Sequence, residues 1–306
     1  MKNNNPLDAI IIGGSYAGLS AAMALGRALR NVLIIDNQDP CNKQTPHSHN
    51  FITNDGKAPA AIAEVARAEL KNYSTVKFKI DTVLEVHKFE NHFKVKTAFE
   101  EVYTAKKIIF ATGVKDIMPP IDGFAESWGI SILHCPYCHG YEVRNEETGV
   151  LAQGDIAFEF TKMISNWTTK LTLFTNGKKG ISDEQFAILD KNGILVNTKE
   201  IKAIKQNNGH IERVEFVDQT SKNIKALYTK AEYKQKCIIP EILGCAITEQ
   251  GLIQVDDFKR TSVPGVYAIG DCTTLLRSVP GAVASGNLAG AMLNKELIEE
   301  RFTVIN

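Results

Sequence analysis

The chain has 306 residues, of which 44% are hydrophobic and 23% charged, and its 35 basic residues are matched by 35 acidic ones. This length suits one large domain or two of ordinary size, and the composition is that of a folded globular protein. A formal charge of zero argues against binding to nucleic acid or a membrane surface, since either needs an excess of Lys and Arg.

The chain begins with a short polar leader, Met1–Pro6. The apolar run behind it is too brief for a signal peptide or a membrane span. We therefore expect a cytoplasmic protein. Structural disulfides are rare in that compartment, so a close pair of cysteines is expected to serve redox chemistry or metal binding.

A strand, a glycine turn, a helix and a second strand follow one another near the N-terminus. Apolar runs predict strands at Asp8–Ile12 and Asn31–Ile35 and a helix at Leu19–Leu29. An acid that ends the second strand, about twenty residues past the turn, is typical of a dinucleotide-binding βαβ unit. The helix N-terminus offers N–H groups to a pyrophosphate, and the acid accepts hydrogen bonds from a ribose. The candidate residues are Gly13, Gly14, Ser15, Ala17, Gly18 and Asp36, with Ser15 at the usual middle glycine.

Two later segments have a similar strand-and-turn character. Lys106–Gly113 predicts a buried strand that ends in Ala111, Thr112 and Gly113. Thr261–Asp271 predicts another, which ends in Gly270 and Asp271 and is followed by a small-residue helix from about Gly281 to Leu297. A carboxylate in this position can bond a sugar-like polyol, while the helix points its positive end at an anionic ring edge.

Between these segments lies a C-x-x-C-H motif, formed by Cys135, Cys138 and His139. It is compatible with a redox dithiol, with half of a zinc site and with covalent haem attachment. A zinc site of this spacing usually has a second cysteine or histidine pair, and the six cysteines of this chain supply no second C-x-x-C. Haem attachment normally accompanies export. The sequence therefore favours the dithiol and leaves the other two interpretations open.

A second strand, glycine turn and helix follow the cysteine pair, at Thr148–Ala157, with a further strand at Lys170–Thr175. This fingerprint is degraded, because Ala152 replaces the first glycine and Gly154 alone remains in the turn. No acid ends the second strand. Instead Lys178 and Lys179 follow, which could pair with a 2′-phosphate. Alternating residues from Glu200 to Lys236, around an Asn-Asn-Gly turn, predict an antiparallel meander.

The order and spacing of these motifs resemble the pyridine nucleotide–disulfide oxidoreductase superfamily and, within it, the low-molecular-weight thioredoxin reductases. The resemblance covers the whole chain. It implies an α/β fold of two Rossmann-like dinucleotide-binding domains, the second inserted in the first. Residues 1–116 and 245–306 would bind FAD, and residues 117–244 would form the NAD(P)-binding-like domain that carries the cysteines. Linkers near 116–120 and 241–245 would let two conformations alternate.

The same resemblance implies the cofactor contacts. Asn50 would lie against the flavin, Asp271 would hold the ribityl chain, and the helix start at Gly281–Val283 would face the flavin pyrimidine. The predicted cofactor-binding residues are Gly13, Gly14, Ser15, Ala17, Gly18, Asp36, Asn42, Gln44, Thr45, Asn50, Val83, Ala111, Thr112, Gly113, Gly270, Asp271, Gly281, Ala282 and Val283 for FAD, and Gly154, Lys178 and Lys179 for NADPH.

By resemblance, electrons pass from NADPH through FAD to the cysteine pair and on to a thioredoxin-like protein or a small disulfide. Cys138 would sit next to the flavin, and Cys135 would form the mixed disulfide with substrate. Thioredoxin reductases have an aspartate after the second cysteine, whereas this chain has His139, as in the gliotoxin-type dithiol oxidases. A dithiol oxidase that uses oxygen, a ferredoxin-driven disulfide reductase and a flavin-bearing redox sensor are the alternatives. We expect no metal, and the resemblance implies a homodimer.

Overall fold

The computed structural model describes residues 7–178 and 180–303, which form two compact units. The first holds the chain up to Lys43, then Ala60–Lys115 and the chain from Tyr233 onward, while the second holds Gln44–Pro59 and Asp116–Glu232. The leader Met1–Pro6 and Lys179, one of the predicted cofactor lysines, lie outside the described residues.

A mixed sheet of seven strands, as far as the described residues show, forms the centre of the first unit. Strands β3, β2, β1, β6 and β17 are parallel and neighbour one another in that order. Strand β5 pairs antiparallel with both β4 and β6. The bounds are β1 Leu7–Ile12, β2 Val32–Asp36, β3 Val76–Ile80, β4 Val83–Lys88, β5 Phe93–Thr97, β6 Val102–Phe110 and β17 Val266–Ala268.

Apolar strand sequences explain why this sheet is covered on both faces. Ile10 and Ile11 of β1 have no exposed surface, and they belong to different hydrophobic clusters. Successive side chains of a strand point to opposite faces, so a strand without alternation needs a packed layer on each side. The helices of this unit are α1 Tyr16–Arg27, α2 Pro59–Leu70, α7 Ile239–Ile242 and α8 Val279–Thr303, with a 3-10 turn at Gly270–Thr273.

Helix α8 packs directly on α1 through small residues. A Cβ at Gly286 would lie 2.1 Å from the Ala17 carbonyl oxygen, so only glycine permits this approach. The sequence predicted a helix from about Gly281 to Leu297, but α8 begins at Val279 and continues to Thr303. The earlier start is possible because a proline at position 280 is tolerated in a first helical turn, where its missing N–H has no intrahelical partner to lose.

The second unit contains a parallel sheet in the order β11, β10, β9, β15, β8 and a separate antiparallel sheet of β12, β13 and β14. The strands are β8 Ile132–Leu133, β9 Thr148–Leu151, β10 Leu171–Phe174, β11 Leu195–Asn197, β12 Ile201–Asn207, β13 His210–Phe216, β14 Ser221–Asn223 and β15 Ala226–Thr229. The helices are α3 Phe124–Ser127, α4 Pro136–His139, α5 Gly154–Ile164 and α6 Asp183–Lys191.

The predicted βαβ units and the predicted meander had different outcomes. One βαβ unit lies in each of the two units, and both form as strand, turn, helix and parallel strand, which confirms the α/β fold class. The predicted meander is correct for β12, β13 and β14 but wrong for β15, which lies between β9 and β8 in the parallel sheet. It is also wrong for Glu232–Gln235, which pairs with Val114–Ile117. All four residues of β15 are buried, and burial on both faces is typical of a parallel strand.

The contacts change unit at 43/44, 59/60, 115/116 and 232/233. The last two changes lie in two short strands that pair with each other, β7 Val114–Ile117 and β16 Glu232–Gln235. The change at 232/233 lies upstream of the predicted linker near 241–245. Ile239, which precedes that stretch, and Cys245, its last residue, are buried in a core of the first unit.

Candidate functional site

The cysteine pair follows a buried strand of the second unit. β8 ends at Leu133, and Cys135 is the N-cap of α4, with Pro136 in the first helical turn. Cys135 and Cys138 form a disulfide whose Cα atoms are 5.3 Å apart. The Cys138 N–H donates to the Cys135 sulfur at 3.2 Å. Both cysteines are partly exposed, so within this unit the pair is accessible to a redox partner.

Two tryptophans fix the backbone on either side of the pair. Tyr137, between the cysteines, packs edge-on against Trp167, with ring centroids 5.5 Å apart. Gly140 lies under the same indole, because a Cβ there would come within 2.7 Å of Trp167 Nε1. On the other side, His134 stacks on Trp128 at 5.9 Å. The position of the short helix α4 is therefore determined by packing, and the structure gives His134 a packing contact.

His139 is the last residue of α4 and directly follows the second cysteine. Burial lowers the pKa of its imidazole, the Glu142 carboxylate acts in the opposite direction, and His49 lowers the pKa further. A pKa below the usual histidine value keeps the ring neutral at neutral pH. A neutral imidazole can accept a proton from a thiol, so His139, the residue after Cys138, has the protonation state that a general base requires.

A histidine from the segment Gln44–Pro59 reaches the same carboxylate. His49 Nε2 lies 3.6 Å from Glu142 Oε1, and His49 Nδ1 lies 3.5 Å from Asp55 Oδ2. The sequence placed Glu142 three residues after His139 but gave no sign that His49 lies beside it. These two are functional candidates that sequence reasoning missed, because their contact joins distant parts of the chain.

The first glycine turn has the close contacts that a dinucleotide turn requires. Gly13 has φ +106°, and a Cβ there would lie 2.3 Å from the carbonyl oxygen of Ala111. A Cβ at Gly18 would lie 2.0 Å from the Gly13 carbonyl oxygen. The Gly14 N–H donates to Asp36 Oδ1 at 2.9 Å, which holds the acid at the turn. The side chain before α1, Ser15, makes no capping hydrogen bond, so this helix end can receive an anion.

Charged groups that the sequence did not single out lie around this turn. Arg67 of α2 donates to the Gly14 carbonyl at 3.4 Å and lies 4.0 Å from Asp36 Oδ2. Arg277 Nε lies 3.6 Å from Asp271 Oδ2. No local pattern in the sequence connects either arginine with these acids. The glycine turn, the acid and the uncapped helix together fit FAD in the first unit.

The second glycine turn has fewer of these features. Gly154 has φ +66°, but a Cβ there would meet no atom within 4 Å. Its N–H, at the start of α5, donates to the Gly180 carbonyl at 2.5 Å. Lys178 is exposed. These residues fit a nicotinamide nucleotide less closely than the first turn fits FAD, because one N–H of the helix start already has a partner.

The predicted FAD residues fall into both units. Those in the first unit are Gly13, Gly14, Ser15, Ala17, Gly18, Asp36, Asn42, Val83, Ala111, Thr112, Gly113, Gly270, Asp271, Gly281, Ala282 and Val283, and those in the second are Gln44, Thr45 and Asn50. Val83 is buried in a core cluster with Ile35. Gly154, Lys178 and the cysteine pair also belong to the second unit.

The four remaining cysteines of the chain differ in how exposed they are. Cys245 and Cys272 are buried, Cys237 is half-buried and Cys41 is exposed. Across residues 7–178 and 180–303 no group of three or more His, Cys, Asp or Glu side chains could hold a metal ion. Within the same ranges no helix is both long enough and apolar enough to cross a membrane.

Comparison with known proteins gives matches along nearly the whole chain. The family model of the pyridine nucleotide-disulphide oxidoreductases matches residues 7–286. The thioredoxin reductase tcpT of Claviceps purpurea is 31% identical over 98% of this chain and 97% of its own length. The thioredoxin reductase sirT of Leptosphaeria maculans is 32% identical over 94% and 93%. Among solved structures, the oxidoreductase from Agrobacterium tumefaciens matches with a TM-score of 0.91 and 36% identity, covering 96% of this chain and 99% of that one.

Proposed function

The chain belongs to the pyridine nucleotide-disulphide oxidoreductase family, and on that premise we propose that it is an FAD-dependent disulfide oxidoreductase of the thioredoxin reductase type. It passes electrons from NADPH through FAD and the cysteine pair to a protein or small-molecule disulfide. The observation that carries the proposal is the Cys135–Cys138 disulfide, partly exposed at the start of α4 in a chain that also holds a dinucleotide turn.

The chemistry of the cysteines is thiol–disulfide exchange. The Cys135 thiolate attacks one sulfur of the substrate disulfide, and the other substrate sulfur leaves as a thiolate that takes up a proton. Cys138 then attacks the Cys135 sulfur, which releases the second substrate thiol and restores the disulfide seen in the structure. FAD, when bound, supplies the two electrons that reduce this disulfide again. His139 exchanges the protons, because its neutral imidazole is adjacent in the chain to the second cysteine.

The residues of the first turn bind and orient the cofactor. Gly13 permits the tight turn, and Gly18 lets α1 pack closely on it, so that the N–H groups at the start of α1 face a pyrophosphate. Asp36 accepts hydrogen bonds from the adenosine ribose. The carboxylate of Asp271, held by Arg277, bonds the ribityl hydroxyls. For the substrate we propose a thioredoxin-like protein or a small disulfide. We further propose that the protein acts in the cytoplasm as a homodimer.

A second candidate function is a dithiol oxidase, in which the substrate dithiol reduces the cysteine pair and oxygen is the final electron acceptor. Two observations favour it. His139 is held as a neutral base, which suits removal of protons from a substrate dithiol. In addition, the Gly154 N–H already has the Gly180 carbonyl as its partner, which leaves the nicotinamide turn with fewer donors for a phosphate.

An anaerobic titration of the purified flavoprotein tests the proposal. Loss of the oxidised-flavin absorbance on addition of NADPH, followed by its return on addition of a disulfide, is the expected result. NADH and reduced ferredoxin serve as the comparison donors. If neither nicotinamide nor ferredoxin reduces the flavin but a small dithiol does, the reductase proposal is wrong and the oxidase stands. The variant C138S, which keeps its flavin, is the control for electron flow through the cysteine pair.

A further inference from the structure

Two residues at the end of β16 contact three loops of the first unit. Gln235 is the last residue of this strand, and Lys236 follows it. One of the loops follows β2, one follows β6, and the third is the turn Gly270–Thr273 after β17. Each of these loops contains residues that are predicted to bind FAD. Neither Gln235 nor Lys236 has a role in the steps described above.

The Lys236 ammonium holds the loop that follows β2. It lies 2.6 Å from Asp39 Oδ2 and also donates a hydrogen bond to the Asp39 carbonyl. The Lys236 side chain is 24% exposed, and water and salt screen a partly buried pair less than a surface pair. The Lys236 hydrogen bond is the largest of the causes that lower the Asp39 pKa to about 2, so this carboxylate is charged at neutral pH.

The same two residues reach the other two loops through carbonyl groups of the main chain. The Lys236 N–H donates to the Gly113 carbonyl at 3.4 Å. Gln235 Nε2 donates to the Cys272 carbonyl at 3.0 Å and to the Gly251 carbonyl at 2.9 Å. Gly113 is a predicted FAD residue, and Cys272 directly follows the aspartate that is predicted to hold the ribityl chain. The end of β16 therefore connects three segments that are distant from one another in the chain.

The loop after β2 also contacts predicted flavin residues at its far end. The Cys41 thiol donates to Asp271 Oδ2 at 3.7 Å, and Asn42 Nδ2 donates to the Tyr16 hydroxyl at 3.4 Å. Both contacts are long, so each constrains the loop only weakly. The contact with Lys236 is shorter and joins two charged groups, so it constrains the position of the loop more strongly.

We propose that Lys236 and Gln235 are positioning residues of the flavin site, which hold the loop after β2 against the turns after β6 and β17 and so slow the release of FAD. The inference rests on the proposed function, in which the first unit binds FAD. Lys236 acts through Asp39, and Gln235 acts through the Cys272 carbonyl. The affinity for the cofactor is thus controlled in part by the strand at which the chain returns to the first unit.

The rate at which FAD leaves the flavoprotein tests this proposal. It is followed as the rise in flavin fluorescence after dilution into buffer without FAD. K236M keeps the length of the side chain but loses its charge and its donors, and it should release FAD about tenfold faster than the wild type. K236R keeps donors for both Asp39 oxygens and should remain within about threefold of the wild type. Q235M loses both carbonyl contacts and should also release FAD faster.

D39N separates positioning from simple attraction between Lys236 and the anionic cofactor. If Lys236 acted only through attraction, loss of the Asp39 negative charge would slow the release of FAD. Because Lys236 acts through Asp39 in the proposal, D39N should instead release FAD faster. The double variant K236M/D39N should stay within about twofold of K236M alone, since both changes remove the same contact. If K236M does not fold, the direction of the D39N effect decides the question.

K43M is the matched control. Lys43 Nζ lies 2.7 Å from Asp39 Oδ1, but this side chain is 66% exposed and belongs to the same loop, so it ties the loop to no other segment. Its loss should change the release rate by less than about twofold. Wild-type release rates in K236M and Q235M, or slower release in D39N, would overturn the proposal.

This measurement needs no electron donor, substrate or turnover, so the inference and the proposed function can fail separately. If NADPH does not reduce the flavin, the reductase proposal fails while the release rates keep their meaning. A purified wild type that binds no FAD would overturn the proposed function and this inference together.

Discussion

Replacement of Gly286 by Ala tests whether the close contact of α8 with α1 sets the stability of the first unit. A Cβ at this position would lie 2.1 Å from the Ala17 carbonyl oxygen and 3.0 Å from the Ala21 nitrogen. Carbon atoms reach their best contact distances at about 3.5 Å. Because both obstacles are backbone atoms, no side chain can rotate away, and the two helices must separate by roughly 1 Å or more.

The expected cost follows from two opposing effects. Overpacking of a close contact costs about 1–3 kcal/mol, and the backbone obstacle puts this case at the upper end. Ala is better than Gly inside a helix by about 1 kcal/mol, which offsets part of the loss. We therefore expect a loss of about 2 kcal/mol in the free energy of unfolding. In a unit of this size that corresponds to a decrease of about 4–8 °C in Tm.

Thermal unfolding followed by circular dichroism, together with the temperature at which flavin fluorescence appears, measures the effect. The matched control is N287A, since Asn287 is the exposed neighbour on the same helix. Flavin release should follow unfolding, because α1 carries the dinucleotide turn. Equal Tm values for G286A and N287A would show that the helices tolerate the extra methyl group and would refute the packing argument.

The C138S variant should retain flavin absorbance but lose more than about a thousandfold of its disulfide turnover, measured with NADPH as donor. Maleimide at pH 7.5 should label Cys41 in the folded protein and Cys272 only after unfolding, because burial raises the Cys272 pKa to about 11. Hydrogen bonds from Lys236 and Lys43 lower the Asp39 pKa to about 2. This carboxylate therefore stabilises the fold above pH 4, and D39N should lower Tm at pH 7 by an amount that vanishes as the pH falls from 4 towards 2.

Local patterns were sufficient to predict much of this fold. The turn at Gly13 and Gly18 depends on contacts between residues close in the chain, so a strand, a glycine turn and a following acid identify it. The cysteine pair is also a local motif, since three residues of sequence separation allow a disulfide at the start of a helix. The family follows from the order of such motifs, and the comparisons confirm it.

Contacts between distant parts of the chain could not be predicted in this way. Nothing in the sequence around His49 indicates that Glu142 is its neighbour, because the contact depends on how Gln44–Pro59 packs in the second unit. The sequence predicts β15 as part of the meander, because its local pattern fits a strand of either sheet. Its place in the parallel sheet depends on pairing with β8 and β9, which are distant in the chain. The roles of the individual cofactor residues remain predictions.

The pairing of β7 with β16 has a consequence for how this chain could be shortened. Paired strands lie about 4.8 Å apart, so the chain leaves the first unit and returns to it at neighbouring points. For the folding of the first unit, residues 118–231, between these two strands, therefore act as one long loop, and the entropy of closing a loop grows only slowly with its length. A chain in which a short loop joins the two strands should keep the sheet of the first unit. Residues 118–231 are thus an insertion between two neighbouring strands, a place where a sheet can accept additional sequence without changing its strand order.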